Sequence, residues 1–404
     1  MRLVVRASSW LRSRGARQVI ALTVLGFATF RATASYVVQL KLGGEPFQTG
    51  DWFINYSGGF VRRGLFGYLL FKPGLSPTWT LLTLALVQFG CYALTYAAFL
   101  QFLRRSDWSW VAIAMVCGPA GLSFIGYDVL GGFRKEILAF AVMAILLQAG
   151  RSARRSTWLA WTAVAGVGWV LAVFSWEGVV FMLPALAFLI LLPLRGEARR
   201  ATGIPTAWKW SALAVFTLIA AIGALAAAKY SGSHDVMLTI CESVRARHLG
   251  GENICAGGIS ALDWTMSQSI DYVARSFPMY YNYLPLFLLA VLPFLTTEWF
   301  RRQWPWFLLL FLGTLPLYVI AIDYGRWIHI LVIEAVFCFI ASPGTERERP
   351  SAWNWLATCL YVGAWGLPRY VQLGSPQWTP FSFASAVADL NNYWTALQAD
   401  WQRR

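Results

Sequence analysis

Long apolar runs alternate with short polar connections along almost the whole chain. A helix needs about 20 mostly apolar residues to cross a bilayer, because each residue adds only about 1.5 Å. The pattern therefore predicts an all-α fold, a polytopic transmembrane helix bundle of about 11 spans. The predicted spans are roughly 18–40, 78–102, 108–126, 137–150, 157–175, 178–194, 208–229, 281–299, 304–322, 327–342 and 352–367.

This pattern divides the chain into a transmembrane domain, residues 1–367, and a tail, residues 368–404. Two local alternatives stay open. The triplet Ala32-Thr33-Ala34 also fits a signal-peptide cleavage site, although the apolar run continues past it to Leu40, which favours an uncleaved span. The short runs on either side of Trp176 fit either a helical hairpin or a broken helix.

Composition supports a membrane protein. Hydrophobic residues make up 58% of the chain and charged residues 13%, about half the charged share of a soluble domain. The 22 Trp and 16 Tyr suit aromatic belts at the two membrane interfaces.

Arginine is concentrated at the N-terminus and on every second connection, and the positive-inside rule places that side in the cytoplasm. The rule predicts a cytoplasmic N-terminus, and the arginine distribution explains the net charge of +14 without nucleic acid. We expect the chain to lie in the inner (plasma) membrane. The arginines that set the orientation include Arg104, Arg105, Arg151, Arg154, Arg155, Arg195, Arg199, Arg200, Arg301, Arg302, Arg347 and Arg349. The outward side then receives 41–77, 127–136, 175–178, 230–280, 323–326 and the aromatic-rich tail, which we interpret as an interfacial segment.

The outward connections carry charges of both signs close to predicted helix ends, where ionisable groups are costly and are candidates for function. The cations suit phosphate, and the carboxylates suit proton transfer from a hydroxyl or the orientation of the arginines. The alternative is that these charges only cap helices or pair in the headgroup region. The candidate catalytic carboxylates are Asp51, Asp128, Glu177 and Asp323, and the candidate phosphate-binding cations are Arg62, Arg63, Arg134, Lys135 and Arg326.

Four aromatic residues flank these charges and are candidates for stacking on a sugar ring, although interfacial anchoring explains them equally well: Trp52, Tyr56, Trp176 and Tyr324. Cys241 and Cys255 lie in the longest outward connection, on the oxidising side, and predict a disulfide. The sequence has no Cys/His spacing typical of a metal site, so it predicts no cofactor, and a divalent metal is left open.

In layout, the chain resembles the multi-spanning GT-C glycosyltransferases and is similar to bacterial O-antigen and exopolysaccharide polymerases. Asp51 matches the catalytic acidic residue that GT-C enzymes carry just after the first helix, but it stands alone and not in a paired-acid motif. The polymerases hold pyrophosphate with periplasmic arginines, a role that Arg62, Arg63, Arg134 and Arg326 match.

The resemblance implies a membrane glycosyltransferase or polysaccharide polymerase whose substrate is a sugar or glycan linked to polyprenyl (pyro)phosphate. A transporter or flippase for an anionic or lipid-linked substrate is the alternative, and a non-catalytic scaffold is a third. Transporters commonly place charges near the bilayer midplane on broken helices, often in two repeats.

Overall fold

In a computed structural model, residues 14–105, 110–152, 154–191, 203–276, 279–342 and 354–368 are described, together with 394, 395 and 398. All regular structure in these residues is helical. The α-helices are α1 Arg14–Lys41, α2 Leu65–Phe71, α3 Pro77–Arg105, α4 Trp110–Cys117, α5 Phe124–Tyr127, α6 Val129–Gly132, α7 Glu136–Gly150, α8 Arg155–Ser175, α9 Leu183–Leu191, α10 Thr206–Lys229, α11 His234–Arg245, α12 Met266–Arg275, α13 Met279–Leu295, α14 Glu298–Ile320, α15 Tyr324–Ala341 and α16 Trp355–Gly363. Four 3-10 helices, Gly50–Phe53, Glu177–Met182, Glu252–Cys255 and Ser260–Asp263, lie between them.

Six of the helices in the described part of the chain are long and apolar enough to cross a membrane: most of α1 and α3, and all of α8, α10, α14 and α15. Shorter apolar helices occupy Glu136–Gly150, Glu177–Leu191 and Tyr281–Leu295. The fold is therefore an all-α helical bundle with the composition of a membrane protein, and the number of about 11 spans stays a prediction.

The centre of the bundle is α15, which packs against α4, α7, α9, α13 and α14 and is buried along its whole length. The outer helices have apolar side chains on their exposed faces, among them Leu218 and Leu225 on α10 and Leu308 and Leu312 on α14. Exposed leucines along a helix of spanning length suit contact with lipid, whereas on a soluble protein they would form an unfavourable patch.

The apolar run at 108–126 was expected to be one span, and the structure differs. Helix α4 ends at Cys117, residues 118–123 form turns, and α5 then begins at Phe124. Gly118, Pro119 and Gly121 explain the break, because proline and glycine interrupt a helix. Polar side chains approach the backbone carbonyls at the break, which lack helical partners. Ser123 Oγ donates to Gly118 O (2.8 Å), and His329 Nδ1 lies 2.8 Å from Ala120 O.

A second interruption separates α8 from α9. Trp176 is extended, with φ −159° and ψ 113°, and the 3-10 helix Glu177–Met182 follows it. The helix α8 therefore ends at Ser175, two residues before Glu177, a feature that a hairpin and a broken helix, the two arrangements expected here, share.

Three helices carry arginine at or next to one end, and their other end lies at or close to a residue of the predicted site. Helix α8 begins at Arg155 and ends beside Glu177, and α7 begins next to Lys135 and ends next to Arg151. Helix α14 has Arg301 in its first turn and ends three residues before Asp323. At 1.5 Å per residue, the 21 residues of α8 separate its two ends by about 30 Å, close to the thickness of a bilayer core.

The predicted interfacial tail, 368–404, lies almost entirely outside the described residues, as do the arginines at 195, 199, 200, 347 and 349.

Candidate functional site

Charged side chains from four separate parts of the chain meet at one end of the bundle. They come from the segment 50–64, from the residues that precede α7, from the 3-10 helix Glu177–Met182 and from the beginning of α15. We call this set the charged cluster: Asp51, Arg62, Arg63, Arg134, Lys135, Glu136, Glu177, Asp323 and Arg326. All but Glu136 were candidates from sequence.

Asp51 lies in the 3-10 helix Gly50–Phe53 and is 2% exposed. Its Oδ2 is 3.2 Å from Arg134 Nε, and its Oδ1 is buried with no hydrogen-bond partner in the ranges that the structure describes. The guanidinium of Arg134 also lies over the ring of Phe47, 5.5 Å from the ring centre. Asp51 is therefore held as a paired carboxylate with one oxygen still able to accept a hydrogen bond.

Burial by itself raises the pKa of the Asp51 carboxyl, but the nearby Arg134, Lys135 and Arg63 outweigh that effect and lower this pKa to about 2. The group is ionised throughout the physiological range. It becomes a stronger base only when some of the surrounding positive charge is neutralised.

Glu177 pairs with both arginines of the first outer segment. Arg63 donates to it from Nε (3.0 and 2.8 Å) and Nη2 (2.6 Å), and Arg62 Nη1 lies 3.4 Å from its Oε1. Arg63 has a left-handed backbone, with φ 68°, which is uncommon for a residue other than glycine. The side chains of Arg62, Arg63 and Glu177 are 16–19% exposed, so this part of the cluster borders the surface.

Arg326 joins α15 to α7. Its Nε and Nη2 donate to Glu136 at 3.0 and 2.8 Å, and its Nη1 donates to Asp323. The guanidinium also lies 5.6 Å from the ring centre of Trp176 and 4.9 Å from that of Trp327. Four groups hold this one cation, which indicates a fixed structural element of the cluster.

Sequence reasoning missed Glu136 because its partner lies 190 residues further along the chain. The available signal was its position: a carboxylate in the first turn of a buried helix, directly after two cations. An ionised residue at that depth needs a partner of opposite charge.

The ammonium of Lys135 is completely buried, and its Nζ donates to the carbonyl of Arg63 at 3.0 Å. No carboxylate of the described residues lies within 4.0 Å of it, whereas each arginine of the cluster has one. Burial lowers the pKa of this ammonium to about 8, against the opposing attraction of Asp51.

The longest outward connection packs against Asp51 and its neighbours, both within its disulfide-closed part and just beyond it. The structure places a disulfide between Cys241 and Cys255. Gly250 N donates to Gly43 O at 2.7 Å, and Gly258 packs so closely that a Cβ there would lie 2.2 Å from Asp51 Oδ1.

The same connection also reaches Arg62, whose backbone N–H donates to Tyr230 O (2.9 Å) and whose Nη2 donates to Ala261 O (3.2 Å). The connection therefore touches the charged cluster at two places.

The four aromatic candidates pack mainly against other rings. Trp52 is fully buried, and its Nε1 donates to Phe133 O at 2.8 Å. Trp176 stacks on Trp327 with ring centres 6.0 Å apart. Tyr324 is fully buried, whereas Tyr56 is partly exposed. Tyr56 therefore has the most accessible ring of the four. Their contact with a sugar stays a prediction.

Asp128 has a local structural role as the N-cap of α6, where it accepts a hydrogen bond from Gly131 N at 2.7 Å. Within the described ranges, no three His, Cys, Asp or Glu side chains lie together in a way that could hold a metal ion.

Two ionisable residues lie deeper in the bundle, on α15. His329 stacks on Phe124 with ring centres 4.2 Å apart. Glu334 is fully buried, and neither of its carboxyl oxygens has a hydrogen-bond partner within the described part of the chain. Sequence reasoning did not select Glu334 as a candidate, although an acidic residue inside an apolar run was a visible signal.

No protein-family model, curated protein or solved structure matches this chain.

Proposed function

We propose that this protein is a membrane glycosyltransferase or polysaccharide polymerase. It transfers a sugar or glycan from a polyprenyl-(pyro)phosphate donor at the extracytoplasmic face. The observation that carries the proposal is the charged cluster. It has five cations suited to phosphate and a buried carboxylate, Asp51, one oxygen of which accepts no hydrogen bond from the described residues.

Two observations support an outward-facing cluster. Helices α7, α8 and α14 have arginine at the end opposite the cluster, and the positive-inside rule assigns that end to the cytoplasm. The Cys241–Cys255 disulfide lies beside the cluster, and disulfides persist on the oxidising side of a membrane.

The reaction uses the cluster in two ways. The acceptor hydroxyl oxygen attacks the anomeric carbon, and the bond from that carbon to the phosphate oxygen breaks. The electron pair leaves with the phosphate, whose negative charge the cations stabilise. The hydroxyl proton passes to Asp51 Oδ1.

Donor binding and base strength are linked in this scheme. The phosphate neutralises part of the positive charge that keeps the pKa of Asp51 at about 2. Its arrival therefore raises the pKa of Asp51 and makes it a better base when the donor is in place.

Gel banding of surface glycans from a strain that lacks the protein tests the proposal. We expect loss of long chains for a polymerase, or loss of one decoration for a single-sugar transferase. Complementation with Asp51→Asn or Arg62→Ala should fail. Complementation with Arg302→Ala should succeed, because that exposed side chain lies near the opposite end of α14 and pairs only with Glu298 among the described residues. Normal glycans with well-expressed Asp51→Asn would contradict the proposal.

A transporter or flippase is the second candidate, and Glu334 favours it. Glu334 is fully buried inside a helix of spanning length and has no hydrogen-bond partner among the residues described, and such carboxyls are typical of proton or ion pathways. The helix break at 118–123 lies against the same helix, α15, where His329 Nδ1 is 2.8 Å from Ala120 O, and transporters commonly use such broken helices. Uptake of a labelled solute into vesicles, abolished by Glu334→Gln but unchanged in Asp51→Asn, would favour transport.

A further inference from the structure

The five cations of the charged cluster differ in how far the protein itself has neutralised them. Each arginine lies within 4.0 Å of a carboxylate: Arg62 and Arg63 pair with Glu177, Arg134 with Asp51, and Arg326 with Glu136 and Asp323. Counting the four carboxylates against the five cations leaves one positive charge over, and Lys135 is the cation without a carboxylate partner among the described residues.

Lys135 is also short of hydrogen-bond acceptors. An ammonium group has three N–H donors and no acceptor. Within the described structure Lys135 Nζ has one protein acceptor, the carbonyl of Arg63 at 3.0 Å, although the side chain is completely buried. A buried charge with so little compensation is costly, and its persistence indicates that something else completes it.

The surroundings of Lys135 favour an anion as the missing group. Asp51 and Glu177 face it from the first outer segment and from the 3-10 helix, and Arg63 and Arg134 face it as like charges. Lys135 also directly precedes the 15-residue helix α7, whose N-terminal end carries a partial positive charge. Arg134 Nε lies 3.2 Å from Asp51 Oδ2 but makes no hydrogen bond among the described residues, so this donor next to Lys135 is also incompletely satisfied.

We infer that Lys135 is the group that receives the ligand's phosphate oxyanion, and that the four arginines mainly form the frame around it. This inference rests on the proposed function for the identity of the donor, but the anion site itself does not depend on glycosyl transfer. The anion enters past Arg63 and Glu177, which border the surface, and replaces the carbonyl of Arg63 as the main partner of Lys135.

Binding of inorganic pyrophosphate to the purified full-length protein in detergent tests the inference, with a series from pH 7 to pH 9. Lys135 has a pKa of about 8, so its charged fraction falls about tenfold across this range. Below pH 8 the ammonium is charged and attracts the anion; above it the neutral amine does not. We therefore expect the affinity of the wild type to fall by up to about tenfold relative to Lys135→Arg, whose guanidinium stays charged.

Pyrophosphate itself also titrates in this pH range. The Lys135→Arg variant corrects for that, because both proteins bind the same ligand at each pH. Lys135→Met should bind at least about tenfold more weakly at pH 7, an effect of about 1.4 kcal/mol. Arg302→Ala removes an equal charge from an exposed position and should bind like the wild type. If the wild type and Lys135→Arg have parallel pH profiles, or if Lys135→Met binds like the wild type, the inference is wrong.

The same variants separate this inference from the proposed function. If pyrophosphate binding depends on Lys135 but cells with Lys135→Met make normal glycans, the anion site stands and the glycosyltransferase proposal fails. If glycans are lost in Asp51→Asn while pyrophosphate binding does not depend on Lys135, the proposed function stands and the inference fails.

Discussion

The ion pair between Arg326 and Glu136 should be one of the main stabilising contacts between α7 and α15. Both side chains are almost completely buried, 3% and 1% exposed. Glu136→Gln keeps the shape of the side chain but removes its charge. Arg326 would then retain Asp323, whose side chain is 23% exposed, and the two tryptophan rings.

Removal of one partner from a buried ion pair costs about 3–5 kcal/mol, because the other charge stays buried. Since Asp323 and the amide oxygen compensate Arg326 in part, we expect the lower end, about 3 kcal/mol of unfolding free energy. That corresponds to a decrease on the order of 100-fold in the ratio of folded to unfolded protein.

Unfolding of the purified protein by a denaturing detergent, followed by tryptophan fluorescence, measures this loss. Trp176 and Trp327 lie against Arg326, so their emission should also shift. Glu298→Gln is the matched control. It removes an exposed carboxylate that pairs with Arg301 and Arg302, and it should cost less than about 1 kcal/mol.

A double variant separates loss of the pair from simple loss of packing. The double variant Glu136→Gln with Arg326→Met should lose less unfolding free energy than the two single variants lose together, because it leaves no unpaired buried charge. Equal destabilisation by Glu136→Gln and Glu298→Gln would refute the reasoning.

Two further predictions concern the connection that packs against Asp51. Gly258→Ala should reduce activity about tenfold or more at normal expression, because its Cβ would lie 2.2 Å from Asp51 Oδ1 and displace the carboxylate. Gly251→Ala should leave glycans unchanged, since a Cβ there meets nothing within 4 Å; equal glycan loss in both variants would contradict this explanation. Cys241→Ser should lower unfolding free energy by about 3 kcal/mol, the entropic value of closing a loop of about 15 residues. Reductant should lower the Tm of the wild type to that of Cys241→Ser and leave the variant unaffected. A wild-type Tm that does not change when reductant is added would contradict this prediction.

The positions of the helices were largely predictable from sequence because the apolar runs are long and the polar connections short. Predicted spans such as 18–40, 78–102 and 157–175 coincide with α1, α3 and α8 to within a few residues. The prediction of one span over 108–126 was wrong, because the run is apolar almost throughout and the helix-breaking Gly118 and Pro119 were not weighed against that composition.

The candidate site was predictable in its members but not in its pairing. Charges at helix ends identified Asp51, Glu177 and Arg326 as candidates. The partners of these residues lie far away in sequence, and side-chain pairing over such distances depends on packing that periodicity does not encode. For the same reason the buried ammonium of Lys135, which has no carboxylate within 4.0 Å among the described residues, could not be distinguished from the four arginines.

The most direct test of the account is the amount of polyprenyl-linked sugar in membranes, measured by mass spectrometry of lipid extracts. If the charged cluster consumes this donor, cells with Asp51→Asn as the sole copy should accumulate it to the level of cells that lack the protein. Cells with Arg302→Ala should match the wild type. Unchanged donor levels in well-expressed Asp51→Asn cells would contradict the central claim.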